Sequence, residues 1–588
     1  MSTPSTPSIP LLEARREQAV PHLDERQLAD LMRFGQRRRY AAGEALFSQG
    51  ERHVGMFVVL SGRVDIVRNT IDGEELLLTY DAGAFSGEVG LLAGRASIAS
   101  GRAREDCEVL VVDEASLHRV IVAHAELSEL IMRAYILRRV AMLEAATAPI
   151  TLLGSRLSTE THRLRQFLLR NGQPHAYLDL VEDPDTKAVL ERFGITELEL
   201  PVAITGKGDV LRSPSIRTLA DAIGLSPERL DGRCVDVAVI GAGPAGLAAA
   251  VYAASEGLSV VVLDAKGPGG QAGTSSKIEN YFGFPTGITG QALAGRGLVQ
   301  AEKFGAEVAV PRKATGFECE AVQLTVMVDD VERLAARCVV IATGAHYRKP
   351  NLSNLEKFEG RGIYYAASFM EAQLCADREV IVVGGGNSAG QAAVYLAGHA
   401  RHVHVLVRSA GLATSMSDYL IQRIARGPNV TLHTETELVS LHGDEALASV
   451  RWRNRRSGGV EEHSIQHVFL FCGAMPNTDW LDDCLLLDSA KFVKTGSDLT
   501  VDDLREAEWP LDRPPMRLET SHPGVFAVGD VRSGSLKRVA AAVGEGSTAV
   551  QLLHLYLAEQ APNEPPMTNP KSADVASGPG DPEPKSQV

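Results

Sequence analysis

The stretch Asp236–Gly246, DVAVIGAGPAG, decides the fold: an apolar strand runs into glycines and then into the alanine-rich run LAAAVYAAS. A strand, a tight turn and a helix in that order let the backbone approach a pyrophosphate at a helix N-terminus. Gly241, Gly243 and Gly246 take the three positions where a Cβ would interfere. A dinucleotide is the expected ligand, against the plainer reading of a glycine-rich strand-to-helix connection. The next apolar strand, LSVVVLD, ends in Asp264, an acid about 20 residues on and suited to a ribose hydroxyl pair. A second copy follows at EVIVVGGGNSAGQAAVYLAGHARHVHVLVR, with Gly384, Gly386 and Ala389 in the glycine positions. Two dinucleotide folds in one chain imply electron traffic between two cofactors. The second strand of this copy ends in Arg408 rather than an acid, which disfavours a bare 2′-hydroxyl and suits a 2′-phosphate. NADPH is therefore expected over NADH, with NADH kept as the alternative donor.

Several further blocks accompany these motifs: GGQ at Gly269–Gln271, KIENYFGFP at Lys277–Pro285, ATGAHYRKP at Ala342–Pro350, GAMPNT at Gly473–Thr478 and GVFAVGDV at Gly524–Val531. With them, residues Val235 to Glu559 resemble the low-molecular-weight thioredoxin reductase family of flavoproteins. The resemblance implies FAD on the first nucleotide fold and NADPH on the second. Carried over by position, Gly270, Gln271, Asn280, Thr343 and Gly344 belong to the FAD site. Gly529 and Asp530 would meet the ribityl-phosphate, and the segment from Arg538 and Val539 to Ala540 would lie beside the isoalloxazine. Asn387 and Ser388 join the glycines of the NADPH site. The family's arginine-rich element reads VRSAGLA here, keeping Arg408 but placing Ser409 and Ala413 where arginines would stand.

The departure from the family is chemical. Its Cys-x-x-Cys falls on GIYYAASFME, so the two cysteine positions are Ala366 and Phe369. A dithiol takes two electrons from the flavin and passes them to a protein disulfide, and its loss removes that route. Cys375 stands alone nearby, read either as a small buried hydrophobe or as a single redox thiol.

Upstream, short β segments separated by glycine turns from about Tyr40 to Asp113 read as a small β-roll. AGEALFSQGE, FVVLSGRVDIV and GEVGLLAGRAS make it similar to the cyclic nucleotide-binding domain of catabolite-activator-type regulators. That similarity implies Gly87 and Glu88 at a ribose and Arg95 with Ser97 at a cyclic phosphate. The cassette is shorter than usual between Glu88 and Arg95, so a roll that has lost or changed its ligand is the competing reading. One helix is expected over SLHRVIVAHAELSELIMRAYILRRVAMLEA, which in that family pairs across a dimer. No helix-turn-helix follows, which removes the DNA-reading element.

Between roll and flavoprotein, alternating strand and helix signals from Ile150 to Ser226 resemble a thioredoxin or glutaredoxin fold, with Pro201 before the third strand. The loop that would carry its dithiol reads GSRLS, leaving Ser155 and Ser158 near the cysteine positions, and Ser158 also suits a helix N-cap.

The expected fold is multidomain: an N-terminal β-roll with a C-terminal helix, a thioredoxin-like α/β unit, and two Rossmann-like, three-layer FAD and NAD(P)H domains. The expected boundaries are 1–14, a disordered N-terminus; 15–147, the nucleotide-binding-like roll with its dimer helix; and 148–230, the unit without Cys-x-x-Cys. Then come 231–350, the first part of the FAD domain; 351–475, the NAD(P)H domain; 476–559, the rest of the FAD domain; and 560–588, a disordered tail. The 588 residues, 45% apolar, suffice for about four domains. A net charge of −15 argues against a nucleic-acid partner. Seven cysteines without metal-like spacing argue against a metal site and fit a cytoplasmic location. No apolar run is long enough to span a membrane. The expected function is FAD-dependent oxidation of NADPH by a homodimer, with an unidentified acceptor, a redox protein among the candidates, and a cyclic nucleotide as effector. A ferredoxin-NADP reductase-like enzyme and a flavin-based redox-sensing protein are the alternatives.

Overall fold

The computed structural model describes residues 14–70, 73–144, 150–156, 158–180, 183, 186–226, 229–318, 324–481 and 484–560. The ends expected to be disordered lie outside them but for Ala14 and Gln560.

In the roll, strands Gln36–Tyr40, Cys107–Val112 and Met56–Ser61 form one antiparallel sheet. Ala45–Phe47, Ser100–Ala103, Val64–Thr70 and Gly73–Tyr80 form the other. Phe47, Phe57, Val59, Val64, Ile66 and Leu77 fill the space between them. The helix expected after the roll is two, Glu114–Ala123 and Ala125–Glu144. His124 leaves the helical region at φ −116°, ψ 94° and sets its ring edge-on to Phe34, 5.6 Å between centroids. Leu117, Val120 and Ile121 of the first helix and Ile131, Ala134 and Tyr135 of the second enter one core with the roll.

The middle unit has a four-stranded sheet in the order Val210–Arg212, Val202–Thr205, Ile150–Gly154, Ala176–Asp179. Ile150–Gly154 and Ala176–Asp179 are parallel, joined by the helix Thr159–Arg170, and the remaining pairings are antiparallel. The Leu200–Pro201 peptide is cis.

The larger α/β unit is built on Arg233–Ile240, whose Val, Ala and Ile side chains are buried on both faces as a central parallel strand requires. Glu307–Ala309 and Val260–Leu263 lie to one side, and Glu332–Ile341 followed by Val525–Ala527 to the other, all parallel. Leu324–Val328 and Ala314–Glu318 extend the near half of Glu332–Ile341 as an antiparallel meander. Helix Pro244–Ser255 is packed between this sheet and the C-terminal helix Val539–Gln560, and small residues permit the close approach: a Cβ on Gly546 would overlap the carbonyl oxygen of Ala245. The second α/β unit has a parallel sheet in the order Ile363–Tyr364, His467–Leu470, Glu379–Val383, His402–Leu406, Val430–His433, flanked by an antiparallel meander over Thr436–His463. A two-stranded ribbon, Ala345–Tyr347 with Ala474–Pro476, carries the chain between the two units.

The middle unit touches every other part. Arg139 Nη2 from the roll's long helix donates to Gly172 O (2.5 Å), and Arg52 Nη1 to Ser226 O (2.6 Å). Gln291 Nε2 donates to Leu169 O (2.7 Å), and Thr159 Oγ1 to Glu359 O of the second α/β unit (3.2 Å).

Candidate functional site

The three glycines of the opening motif have three different surroundings. A Cβ on Gly241 would overlap the carbonyl oxygen of Ala342, and one on Gly246 would overlap that of Gly241, so both are fixed by strand and helix packing. A Cβ on Gly243 would find only the Cα of Gly270, 3.9 Å away. Nothing in the protein itself demands glycine there. Gly243 caps the helix Pro244–Ser255, so that open side faces the free amides of a helix N-terminus, where a pyrophosphate binds.

Other parts of the chain converge on this loop. Gly269 N donates to Ala242 O (2.7 Å), which lays Gly270 and Gln271 over the glycine turn. Thr343 and Gly344 follow Ile341 at the strand's C-terminal end; Thr343 Oγ1 donates to Asn477 O (2.9 Å) and Asn477 Nδ2 returns to Thr343 O (2.8 Å). Gly529 packs against Ala245, bringing Asp530 to the same crevice. The carboxylate of half-buried Asp530 has no hydrogen-bond or ion-pair partner among the described residues; burial pushes it up and Lys537 pulls it back. Asp264 accepts from the amides of Ala242 (2.9 Å), Lys266 and Gly267 (2.8 Å each). A carboxylate offers about four acceptor sites, so capacity for a ribose hydroxyl remains. The open cradle at Gly243 and the unpaired Asp530 fit an FAD. Arg538 is exposed just before the helix that starts at Val539, and Asn280 is exposed on its loop.

In the second α/β unit Gly384 ends the strand Glu379–Val383 and abuts Phe471 O, while Gly386 caps the helix Asn387–Ala397 with nothing within 4 Å of its Cβ position. Ala389 is buried beneath the turn. Asn387 Oδ1 accepts from Ser417 N (2.7 Å), and Ser388 lies close to Tyr347 of the ribbon, whose phenol burial pushes up and Ser388 pulls back. Arg408 is exposed with no bond to its guanidinium among the described residues. Beside it stands a cation the sequence reading missed, Arg455, whose Nη1 donates to Arg408 O (3.5 Å). It arrives from a separate hairpin, and no local motif announces it.

Neither dithiol position gains a thiol from the fold. Ala366 precedes the short helix Phe369–Leu374. Cys375 is fully buried in the core of this unit and burial pushes its thiol up, an environment of packing rather than exchange. Ser158 caps the helix Thr159–Arg170, accepting from Thr161 N (3.2 Å). That helix lies on the segment around Ala366: His162 Nε2 is 3.2 Å from Glu371 Oε1, Gln166 Nε2 donates to the same oxygen (3.3 Å), and Ser368 N donates to Glu371 Oε2 (2.9 Å). The helix that follows the Ser155–Ser158 loop is therefore docked on the segment that follows Ala366.

In the roll, Gly87, Glu88, Arg95 and Ser97 line one cavity of about 50 Å³ together with Arg138. All four are engaged within the protein. Gly87 lies against the Tyr135 hydroxyl and its carbonyl accepts from Arg138 Nη1 (2.9 Å). Glu88 faces Arg139 (3.4 Å), Ser97 Oγ donates to Ala99 O (2.7 Å), and Arg95 is paired with Glu302 of the helix Gly290–Lys303. Glu302, Arg138 and Arg139 were invisible to motif reading because they come from distant segments.

Comparison with known proteins follows the same division. Residues 235–546 match the family described as pyridine nucleotide-disulphide oxidoreductase, and residues 37–124 the cyclic nucleotide-binding domain. The chain is 33% identical over 361 residues to NADPH-dependent thioredoxin reductase 3 of Arabidopsis thaliana, covering 60% of this chain and 64% of that protein, less than two thirds of its length. It is 30% identical over 323 residues to thioredoxin reductase of Treponema pallidum, covering 55% and 97%. Among solved structures, thioredoxin reductase of T. acidophilum superposes with a TM-score of 0.50 at 27% identity, covering 56% of this chain and all (100%) of that one. No helix among the described residues is long and apolar enough to cross a membrane.

Proposed function

Since the chain belongs to the pyridine nucleotide-disulphide oxidoreductase family and is an FAD-dependent NAD(P)H oxidoreductase, we propose that it oxidises NADPH and delivers the electrons to an acceptor other than a thioredoxin disulfide. The observation that carries this reading is the pair of empty dithiol segments: Ala366 with Phe369, and Ser155 with Ser158. FAD, when bound, supplies the hydride acceptor and the electron store. The protein's part is placement. The amides at Gly243 and the following turn hold the pyrophosphate, Asp264 takes the adenosine ribose, and Asp530 accepts from a ribityl hydroxyl. Arg408 and Arg455 take the 2′-phosphate of NADPH. No side chain is needed as acid or base. The test is anaerobic stopped-flow reduction of the purified flavoprotein by NADPH, then a screen of acceptors: ferredoxin or flavodoxin, quinone, oxygen and oxidised thioredoxin. Fast turnover with one of the first three supports the reading.

The front half of the chain is proposed to regulate this activity. The match over residues 37–124 supports a cyclic nucleotide as effector. The strand order of the middle unit supports a thioredoxin-like module that serves as an adaptor rather than a redox centre. A homodimer is proposed through the helix Ala125–Glu144, whose Ile136 and Val140 are exposed one turn apart. A cytoplasmic location is proposed on the unpaired thiols of Cys107, Cys338, Cys375 and Cys472, set against the disulfide-bonded Cys484.

A further inference from the structure

Arg95, the cassette's one cation for an anionic ligand, does not wait open. It reaches across to the larger α/β unit and pairs with Glu302 on the helix Gly290–Lys303. The Glu302 side chain has no solvent exposure, and its Oε2 has no hydrogen-bond partner among the described residues. Burial pushes its carboxyl up, the Arg95 charge pulls it down, and of the two further charges within electrostatic reach Glu88 raises it while Arg139 lowers it. These four residues form a cluster of two anions and two cations in which Glu302 is fully buried and the other three are partly buried, contributed by the cassette, the roll's long helix and the flavin-side helix.

We propose that Glu302 is a built-in competitor for the nucleotide cassette, so that a cyclic nucleotide phosphate on Arg95 and the helix Gly290–Lys303 docked on the roll exclude one another. The proposal rests on the reading of the roll as a cyclic nucleotide site. Arg95 has one guanidinium to share: a phosphate seated on it would take the cation that Glu302 now holds and leave that fully buried carboxylate without its ion-pair partner, which a low-dielectric site does not tolerate. Space imposes the same exclusion. A cavity of about 50 Å³ has room for a few waters and not for a nucleotide, so the site must enlarge, and Val299 of this same helix packs into the core containing Leu91 and Leu92 of the cassette turn.

The helix has a direct line to the flavin site. Gly290 N donates to Ser275 O (2.8 Å) in the loop that starts at Gln271, and Gly297 packs on Leu247 of the helix Pro244–Ser255, where a Cβ would lie 3.5 Å from it. Release of Glu302 would thus loosen the elements behind the pyrophosphate cradle, and ligand and docked helix bias one equilibrium in opposite directions.

The test uses the full-length, FAD-loaded protein. Calorimetry with cyclic AMP, cyclic GMP and cyclic dinucleotides is run on wild type, Glu302→Gln and Arg95→Ala, and amide hydrogen exchange of residues 290–303 is followed in wild type with and without the nucleotide that binds. Glu302→Gln should bind that nucleotide at least tenfold more tightly than wild type, and exchange over residues 290–303 should rise on binding. Arg95→Ala should bind none. Equal affinity in wild type and Glu302→Gln, or saturation with unchanged exchange, overturns the competition and leaves the nucleotide reading standing. No binding by wild type or by Glu302→Gln overturns the nucleotide reading and the competition together.

Discussion

Gly243 and Gly246 are three residues apart and glycine for opposite reasons. Gly246 has no room for a Cβ, while Gly243 has room and no protein atom to fill it. Gly246→Ala should therefore destabilise the fold by about 2 kcal/mol or more, in the range of overpacked positions, seen as a lowered thermal midpoint. Gly243→Ala should leave the midpoint of the flavin-stripped protein nearly unchanged and lower FAD occupancy, read as the ratio of flavin to protein absorbance. Equal flavin loading of Gly243→Ala and wild type would remove the pyrophosphate from this turn. Arg408 and Arg455 make the corresponding prediction for the second nucleotide. Arg408→Ala should cost about 1.5–3 kcal/mol of preference for NADPH over NADH, measured as the ratio of flavin reduction rates, and Arg455→Ala should act in the same direction. The glycines, Asp264 and Arg408 were legible because strand-turn-helix motifs are local. Arg455, Glu302 and Arg139 were not, since each acts on a residue brought near by tertiary folding alone.

The helix Thr159–Arg170 is fixed at its start by a cap and along its length by contacts to a neighbouring unit. Ser158 at its N-cap should be worth about 1 kcal/mol to stability, so Ser158→Ala should lower the denaturant midpoint with no change in flavin reduction rate. Further along, the helix is held to Glu371 by His162 and Gln166, with Arg165 within electrostatic reach. Burial pushes the Glu371 carboxyl up, and hydrogen bonds from His162 and Ser368 more than offset that and hold it below its ordinary value. A depressed folded-state value makes its contribution complete above the ordinary glutamate range and lost as pH falls through the folded value. Protection of the amides over residues 159–170, taken relative to the intrinsic exchange rate at each pH, should therefore be high at neutral pH and fall below about pH 4; protection unchanged down to pH 3 would place the docking energy elsewhere. The strands and helices of this unit were readable from alternation and turn residues. The strand Gln36–Tyr40 was not, because QRRRY exposes nearly every side chain and offers no alternation, and the break at His124 was hidden in a continuous helical pattern.

At the scale of the molecule, an ion pair between Glu279 and Arg423 links the two α/β units beyond their ribbon, with Nη2 to Oε1 at 3.2 Å. It is partly exposed, so its worth is about 0–1 kcal/mol, and Arg423→Ala should change the rate of flavin reduction by NADPH by no more than about fivefold. The order of units was legible in the sequence, since each carries its own pattern. Their mutual placement was not: the middle unit's helix Thr159–Arg170 sits on the segment that follows Ala366, through His162 and Gln166 to Glu371. Neither segment carries a cysteine pair: Ala366 and Phe369 stand in one, Ser155 and Ser158 in the other. The most direct measurement is anaerobic: reduce the flavin with one equivalent of NADPH, add oxidised thioredoxin, and follow the flavin absorbance near 450 nm on the order of the turnover time of an ordinary enzyme, about 0.1 s. Bleaching by NADPH with no recovery on adding thioredoxin is the expected result; prompt recovery of the oxidised flavin spectrum would contradict it.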